Sequence, residues 1–235
     1  MKKIIILIAV FGINSAVFSQ STAEFFKTAD AFFKAHVSNG KVAYAQLHEN
    51  PEVLDKLVNL AETVSVSTSD SKTYQAFWIN AYNISVIKGI IDHYPINSPL
   101  DKVGFFDKTV YKIAGESLTL NTIENKKLRA QFSDARFHFV LVCGAVGCPP
   151  LINKAYLPHT LETQLQQQTE LALSNPNFIK VKTSKVELSE IFKWYKEDFV
   201  KSGSEIDYIN RFRTEKITPK TKISYYAYNW NLNQQ

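Results

Sequence analysis

The stretch Arg136-Phe-His-Phe-Val-Leu-Val-Cys-Gly-Ala-Val-Gly-Cys-Pro-Pro-Leu151 contains both cysteines of the chain and one of its five histidines. The apolar run before Cys143 predicts a buried strand, and the glycines after it predict a tight turn. Strand ends that lead into tight loops are positions where a rigid scaffold can present reactive side chains. We therefore expect the functional site of this protein at this junction.

The first residues are typical of a secretory signal peptide. A basic start at Lys2 and Lys3 precedes the apolar run 4–11, which is too short to span a membrane. Val17 and Ser19 are small enough for the positions that signal peptidase recognises. The pattern predicts a signal peptide over residues 1–19 and export to the periplasm or the cell exterior. The alternative is a retained N-terminal anchor helix.

Composition limits the classes of function. Loss of Lys2 and Lys3 with the signal peptide lowers the net charge from +5 to +3, and the remaining lysines are scattered. We therefore expect no binding to nucleic acid. The sequence also predicts no integral membrane segment after cleavage and no cofactor, and it carries no signal for a particular oligomeric state. Sixteen Phe, eleven Tyr and three Trp favour one domain with a large core.

Periodicity predicts a mixture of helices and short strands. Predicted helices cover residues 22–37, 50–63 (capped by Asn50-Pro51), 73–93, 121–132 (with Asn121 and Glu124 as a capping box), 159–173, 189–199 and 204–212. Predicted strands form the hairpins 109–113/117–120 and 178–182/185–188, with further strands at 136–143 and 222–226. This order favours an α+β fold, in which several helices pack around a small, mainly antiparallel sheet. We expect an N-terminal helix over 20–40 and one domain over 41–235.

Two asparagines stand out on the apolar helix 73–93. Asn80 and Asn83 are three residues apart, so their side chains share one face. Buried amides need hydrogen-bond partners, and we expect these in the segment 136–151. The amides then either form a structural network or orient a catalytic imidazole or a substrate carbonyl.

A cysteine nucleophile is one interpretation of the 136–151 segment. Such a thiolate needs an imidazole to activate it and a third group to hold the ring. Cys148, His138 and one of Asn80 or Asn83 are the residue types required, and the amides of the Gly144–Gly147 turn would bind an oxyanion.

A disulfide is the competing interpretation. Cys143 and Cys148 are the only cysteines, and an exported protein meets an oxidising compartment. The intervening turn can bring their Cα atoms within reach of a bridge. Free or metal-bound thiols are the third option, although C-x₄-C with His138 supplies fewer ligands than a structural zinc site uses, and we assign no metal residues.

Several motifs together resemble a family known as the domain of unknown function 547. These are Phe77-Trp-Ile-Asn-Ala-Tyr-Asn83, His138–Gly144 with Cys148-Pro-Pro-Leu151, Leu120-Asn-Thr-Ile-Glu124, Trp194-Tyr195 with Asp198-Phe199, and Tyr228-Asn-Trp-Asn-Leu-Asn233. The resemblance runs from about Lys41 to the C-terminus and implies an exported bacterial protein without a settled activity. This chain has Asn229 where the family usually has aspartate, so a carboxylate function there is not expected.

Two functions follow from these residues. The first is an exported module that binds a small molecule, peptide or glycan in a polar Asn/His/Cys pocket. The second is a cysteine-type hydrolase or acyl-transferase acting on an amide or ester, with Cys148, His138, Asn80 and Asn83 as catalytic candidates. Candidate binding residues are Trp78, Tyr82, Cys143, Gly144, Tyr228, Asn229 and Trp230. Asp198 is expected on a solvated helix face.

Overall fold

One central helix organises the fold. The computed structural model describes residues 6–235, with side chains from Ser21 onward. The helix α4 (Ser71–Ile91) begins where the Asp70 side chain accepts a hydrogen bond from the Thr73 amide at 3.2 Å. Nearly all of its residues are buried, on every face. A helix that is apolar all round belongs in the core, and α4 lies there.

The other elements surround α4. The helices are α1 (Ile6–His36), α2 (Tyr44–Glu49), α3 (Glu52–Thr63), α4, α5 (Leu120–Thr122), α6 (Ala130–Phe132), α7 (Leu161–Ser174), α8 (Glu190–Trp194), α9 (Lys196–Phe199) and α10 (Glu205–Phe212). A π-helical segment, Ile123–Arg129, joins α5 to α6, and 3₁₀ turns cover Pro99–Asp101 and Ala135–Phe139. The strands are β1 (Val37–Ser38), β2 (Lys41–Val42), β3 (Val110–Ile113), β4 (Glu116–Thr119), β5 (Ile179–Val181), β6 (Lys185–Ser189) and β7 (Lys222–Tyr226).

The α+β class is confirmed, although the strands of the described chain form three small sheets rather than one. β1 pairs with β2, and β3 with β4, both antiparallel. β5 and β6 form the second predicted hairpin, and β7 extends it parallel to β6 with Val186 opposite Ile223. The parallel pairing is possible because α8, α9 and α10 form the crossover between β6 and β7.

The N-terminal helix packs into the main core. Phe25, Ala29, Phe32 and Phe33 of α1 are buried, and α1 lies against α3. The predicted cleavage site before Gln20 falls outside the residues whose side chains are described. Across the described residues, no helix combines the length and the apolar character that crossing a membrane requires.

The predicted strand 136–143 is wrong. The segment begins as a 3₁₀ turn capped by Asp134, whose carboxylate accepts from the Arg136 amide at 2.9 Å, and continues without regular structure. The Asn83 side chain then takes the place of a neighbouring strand. Its Nδ2 donates to the Val140 carbonyl and its Oδ1 accepts from the Val142 amide, both at 2.9 Å. The apolar run therefore reflected burial, not a place in a sheet.

Two predicted helix caps are also wrong. Thr119, not Asn121, accepts a hydrogen bond at the start of α5, from the Thr122 amide at 3.1 Å. Glu124 instead lies in the π-helical segment. The amide of Asn50 donates to the Gln46 carbonyl at the end of α2, so Asn50 does not cap α3.

Asn80 and Asn83 are buried and fully engaged with backbone, as expected. Asn83 bonds the 136–151 segment, but Asn80 does not, and that part of the prediction is wrong. Asn80 donates to the carbonyls of Ala76 and Tyr156 and accepts from the Tyr156 amide at 2.9 Å. The asparagines fix two different irregular segments to one helix.

We expect Asn83→Leu to lower the free energy of unfolding by about 1–3 kcal/mol, because the Val140 carbonyl and Val142 amide would be buried without partners. Urea unfolding measures the change. Asn59→Leu, on the exposed face of α3, is the control and should differ little from the parent. An Asn83→Leu protein as stable as Asn59→Leu would contradict a structural role for this amide.

Candidate functional site

His138 is held on two sides by residues of the α8–α9 region. Its Nε2 lies 2.8 Å from Asp198 Oδ2, and its ring stacks on the Tyr195 ring with centroids 4.0 Å apart. The 3₁₀ turn Ala135–Phe139 brings the ring to this position, and the side chain is almost fully buried. The orienting group for the imidazole is therefore Asp198 rather than either asparagine.

Asp198 is a charged, largely buried carboxylate. Arg129 Nε lies 2.8 Å from it and Lys201 Nζ 3.2 Å. The hydrogen bond from His138, followed by those from Arg129 and Lys201, holds the pKa of Asp198 well below its usual range. Because the carboxylate is ionised, His138 Nε2 carries the hydrogen and Nδ1 is the nitrogen that can accept a proton. The expectation of a solvated Asp198 is wrong, since its side chain is only 13% exposed.

The two cysteines are paired. Their sulfurs lie within disulfide-bonding distance, and their Cα atoms are 6.5 Å apart. The Cys143 amide donates to the Cys148 sulfur at 3.0 Å. The Tyr228 hydroxyl lies 2.9 Å from the Cys148 sulfur and 3.1 Å from the Cys143 sulfur. This geometry favours the disulfide interpretation over a free nucleophile.

Two amides of the turn between the cysteines bond the C-terminal segment. The amides of Val146 and Gly147 each donate at 2.8 Å to carbonyls of the C-terminal segment, those of Asn231 and Asn229. The Cys148 amide donates to the Ala145 carbonyl at 3.1 Å. The Val146 and Gly147 amides are therefore used by the fold and are not available to bind an oxyanion.

Gly147 has a packing role in the same turn. A Cβ atom on Gly147 would lie 2.9 Å from three carbons of the Tyr228 ring. Only glycine lets the ring approach the backbone so closely, and this approach carries the tyrosine hydroxyl to the sulfurs.

The paired cysteines and His138 open onto one cavity of about 320 Å³. Aromatic rings form most of its wall, and three of them pack together. The ring centroids of Trp194 and Tyr228 are 5.0 Å apart, and those of Tyr228 and Trp230 are 4.7 Å apart. The lining residues are Tyr82, Phe106, Asn121, Glu124, His138, Leu141, Cys143, Cys148, Ile191, Trp194, Tyr195, Tyr228 and Trp230.

Glu124 is the carboxylate of this cavity. Its side chain reaches the lining from the π-helical segment, a distortion that is common at functional sites, and the residue is 9% exposed. The Tyr195 hydroxyl donates to it. Burial first, and then the charge of Glu124 and this hydrogen bond, raise the pKa of Tyr195 far above its usual range. Burial and the same charge raise the pKa of Tyr82. Both tyrosines therefore remain protonated donors.

The structure brings together about half of the residues that the sequence suggested. His138, Cys143, Cys148, Tyr82, Tyr228 and Trp230 line the cavity. Asn80, Asn83, Trp78, Gly144 and Asn229 do not: the first four are buried in the core, and Asn229 is exposed and contributes its carbonyl to the turn. Across the described residues, no three His, Cys, Asp or Glu side chains are placed to hold a metal ion together.

Sequence reasoning missed Glu124, Asp198, Trp194 and Tyr195 as site residues. All four belong to motifs of the family resemblance, which was the one signal that pointed to them. Local patterns alone indicate a helix cap at Glu124 and a surface position for Asp198, because the partners of both side chains are distant in sequence.

Comparison with known proteins agrees with the resemblance. Residues 66–171 match the model of a family described as "Protein of unknown function, DUF547". The matched segment contains α4, the π-helical segment and the cysteine turn, while Asp198 and Trp230 lie beyond it. No curated protein and no solved structure is detectably similar to the chain. The chain is therefore similar to this family over residues 66–171, and the comparison attaches no activity to it.

We expect Asp198→Asn to destabilise the protein by about 1–3 kcal/mol at neutral pH, because His138 and Arg129 lose a charged partner. A folded pKa below the ordinary value of 3.8 means that the ionised form contributes stability above that pH and loses it as the pH falls toward the folded pKa. The difference between parent and variant should therefore shrink below about pH 4.

Urea unfolding at about pH 7 and about pH 3 measures this dependence. Glu197→Gln, at the exposed neighbouring carboxylate, is the control. A difference that stays constant over this range would contradict the ionic role of Asp198.

Proposed function

We propose that this protein, with its DUF547 region, is an exported binding module whose ligand enters the cavity beside the paired cysteines. The observation that carries the proposal is the lining itself: aromatic walls surround a few convergent polar groups, namely Glu124, His138 and tyrosine hydroxyls. Concave, largely apolar sites with a few placed polar groups are typical of small-ligand pockets. A volume of about 320 Å³ suits a small molecule, or one residue at the end of a peptide or glycan.

Three contacts argue against a resident cysteine nucleophile. The Cys148 sulfur is at bonding distance from Cys143, which removes the thiolate. Two of the turn amides that could bind an oxyanion, those of Val146 and Gly147, donate elsewhere. Asn80 and Asn83 bond backbone groups and do not touch the imidazole. The cavity is thus better suited to binding than to acyl transfer.

Export completes the proposal. It is supported by the basic and apolar character of residues 1–19 and agrees with a cysteine pair held at disulfide distance, which an oxidising compartment maintains. The intact mass of the protein recovered from the periplasm or medium tests it: a chain that still carries Met1 would contradict export with cleavage.

A second function, a cysteine-type hydrolase or acyl-transferase, is favoured by one specific observation. Cys148 and His138 line the same cavity, and Asp198 holds the imidazole as a third group. Reduction of the cysteine pair would therefore leave a thiol, an imidazole and a carboxylate in one site. This activity would exist only in the reduced protein.

Binding in the cavity can be tested by closing its rim. Asn121 lines the cavity and is exposed, so Asn121→Trp should occlude the entrance without disturbing the core. We expect at least one of four probes (benzyl alcohol, N-acetylglucosamine, N-acetylphenylalanine amide and choline) to bind the parent in saturation-transfer NMR. Asn121→Trp should abolish this binding, and Asn59→Trp, on the exposed face of α3, should retain it.

Failure of all four probes to bind the parent would contradict the binding function. Equal binding by Asn121→Trp would place the site elsewhere.

The second function predicts a reactive thiol after reduction. With the pair reduced, iodoacetamide should alkylate Cys148 at least about tenfold faster than Cys143, because a nearby imidazole increases the thiolate fraction. His138→Gln should remove the difference, and mass spectrometry of the peptides measures it. Equal rates at both cysteines in the reduced parent would exclude the hydrolase alternative.

A further inference from the structure

The charged side chain of the cavity lining is acidic. Among the described residues, Glu124 is the only aspartate or glutamate of the lining, and no lysine or arginine belongs to it. His138 also lines the cavity, and its Nε2 lies 2.8 Å from Asp198 Oδ2. A ligand that enters the cavity therefore meets a carboxylate with no cation beside it.

Glu124 lacks a cationic partner within the described part of the chain. None of the ion pairs there includes it, and two of the three cations on its own helical segment pair with other carboxylates, while the third, Lys126, is exposed. Lys127 pairs with Glu116 at 2.5 Å, and Arg129 pairs with Asp198 at 2.8 Å. A carboxylate that is about nine-tenths buried loses hydration, and the Tyr195 hydroxyl replaces only part of it.

The aromatic rings that line the same cavity are suited to a positively charged ligand. Trp194, Tyr228 and Trp230 pack as one cluster, and Trp194 remains 45% exposed. The Tyr195 ring, by contrast, already contacts His138 at 4.0 Å and the Arg129 guanidinium at 4.8 Å. An organic cation is attracted to aromatic faces, and tryptophan gives the strongest attraction.

We propose that the cavity recognises an organic ammonium group, seated between the Glu124 carboxylate and the Trp194–Tyr228–Trp230 rings. An anionic ligand would meet Glu124 without a counter-charge, and a neutral glycan would leave that charge unpaired. An ammonium group can pair with the Glu124 carboxylate and contact the aromatic rings at the same time. This assignment rests on the proposed binding function and defines its ligand class.

Choline and its neutral isostere 3,3-dimethyl-1-butanol, in which carbon replaces the nitrogen, are the matched probes. Isothermal titration calorimetry on the full folded protein should give choline at least about tenfold tighter binding, since the two probes differ only in charge. Glu124→Gln should remove most of that preference while leaving the affinity for the isostere unchanged. Glu116→Gln, at an exposed glutamate paired with Lys127, is the control and should keep the preference.

A second variant keeps the test informative if Glu124→Gln does not fold. Trp194→Leu changes a half-exposed ring outside the core. It should weaken the affinity for choline by about fivefold, with little effect on the temperature of thermal unfolding. Equal or tighter binding of the isostere to the parent, or a preference retained by Glu124→Gln, would overturn the ammonium assignment. Binding of a neutral probe without preference for choline would overturn the assignment alone, whereas absence of binding by every probe would overturn the binding function as well.

Discussion

The two hydrogen bonds between the Asn83 amide and the backbone of Val140 and Val142 hold the site in place. They replace the ladder bonds that a neighbouring strand would supply, and they do so from the most buried helix of the described chain. An amide can satisfy one carbonyl and one N–H at the same time, so it stabilises an irregular segment inside the core. His138 precedes these two hydrogen bonds in the chain and Cys143 follows them, so the positions of both residues depend on them.

Tyr195 connects Glu124 with the His138–Asp198 pair. Its ring packs between His138 and Arg129, and its hydroxyl donates to Glu124. Arg129 in turn pairs with Asp198, which holds the imidazole. The π-helical segment carries both Glu124 and Arg129, and its wider turn lets the one reach the cavity while the other stays beside α9.

The C-terminal segment closes the site from the opposite side. Its carbonyls at Asn229 and Asn231 accept from the cysteine turn, and the Tyr228 hydroxyl contacts both sulfurs. Asn233 anchors the end of the segment through the Tyr44 hydroxyl at 2.8 Å. Asn229 contributes its backbone carbonyl to this contact, so the contact does not depend on a side-chain charge.

The sequence by itself determined the elements whose signals are local. The apolar periodicity of α4, the two hairpins and the Ser189 and Ser204 caps are set by neighbours a few residues apart, and the cysteine spacing allows a bridge. The tertiary structure decided the rest. The 136–143 segment is bonded by the Asn83 side chain, which is 57 residues from Val140, and not by a neighbouring strand. The partners of Asp198, His138 and Arg129, are 60 and 69 residues away. Contacts of that range leave no periodic signal in the chain, because they depend on how separate elements pack.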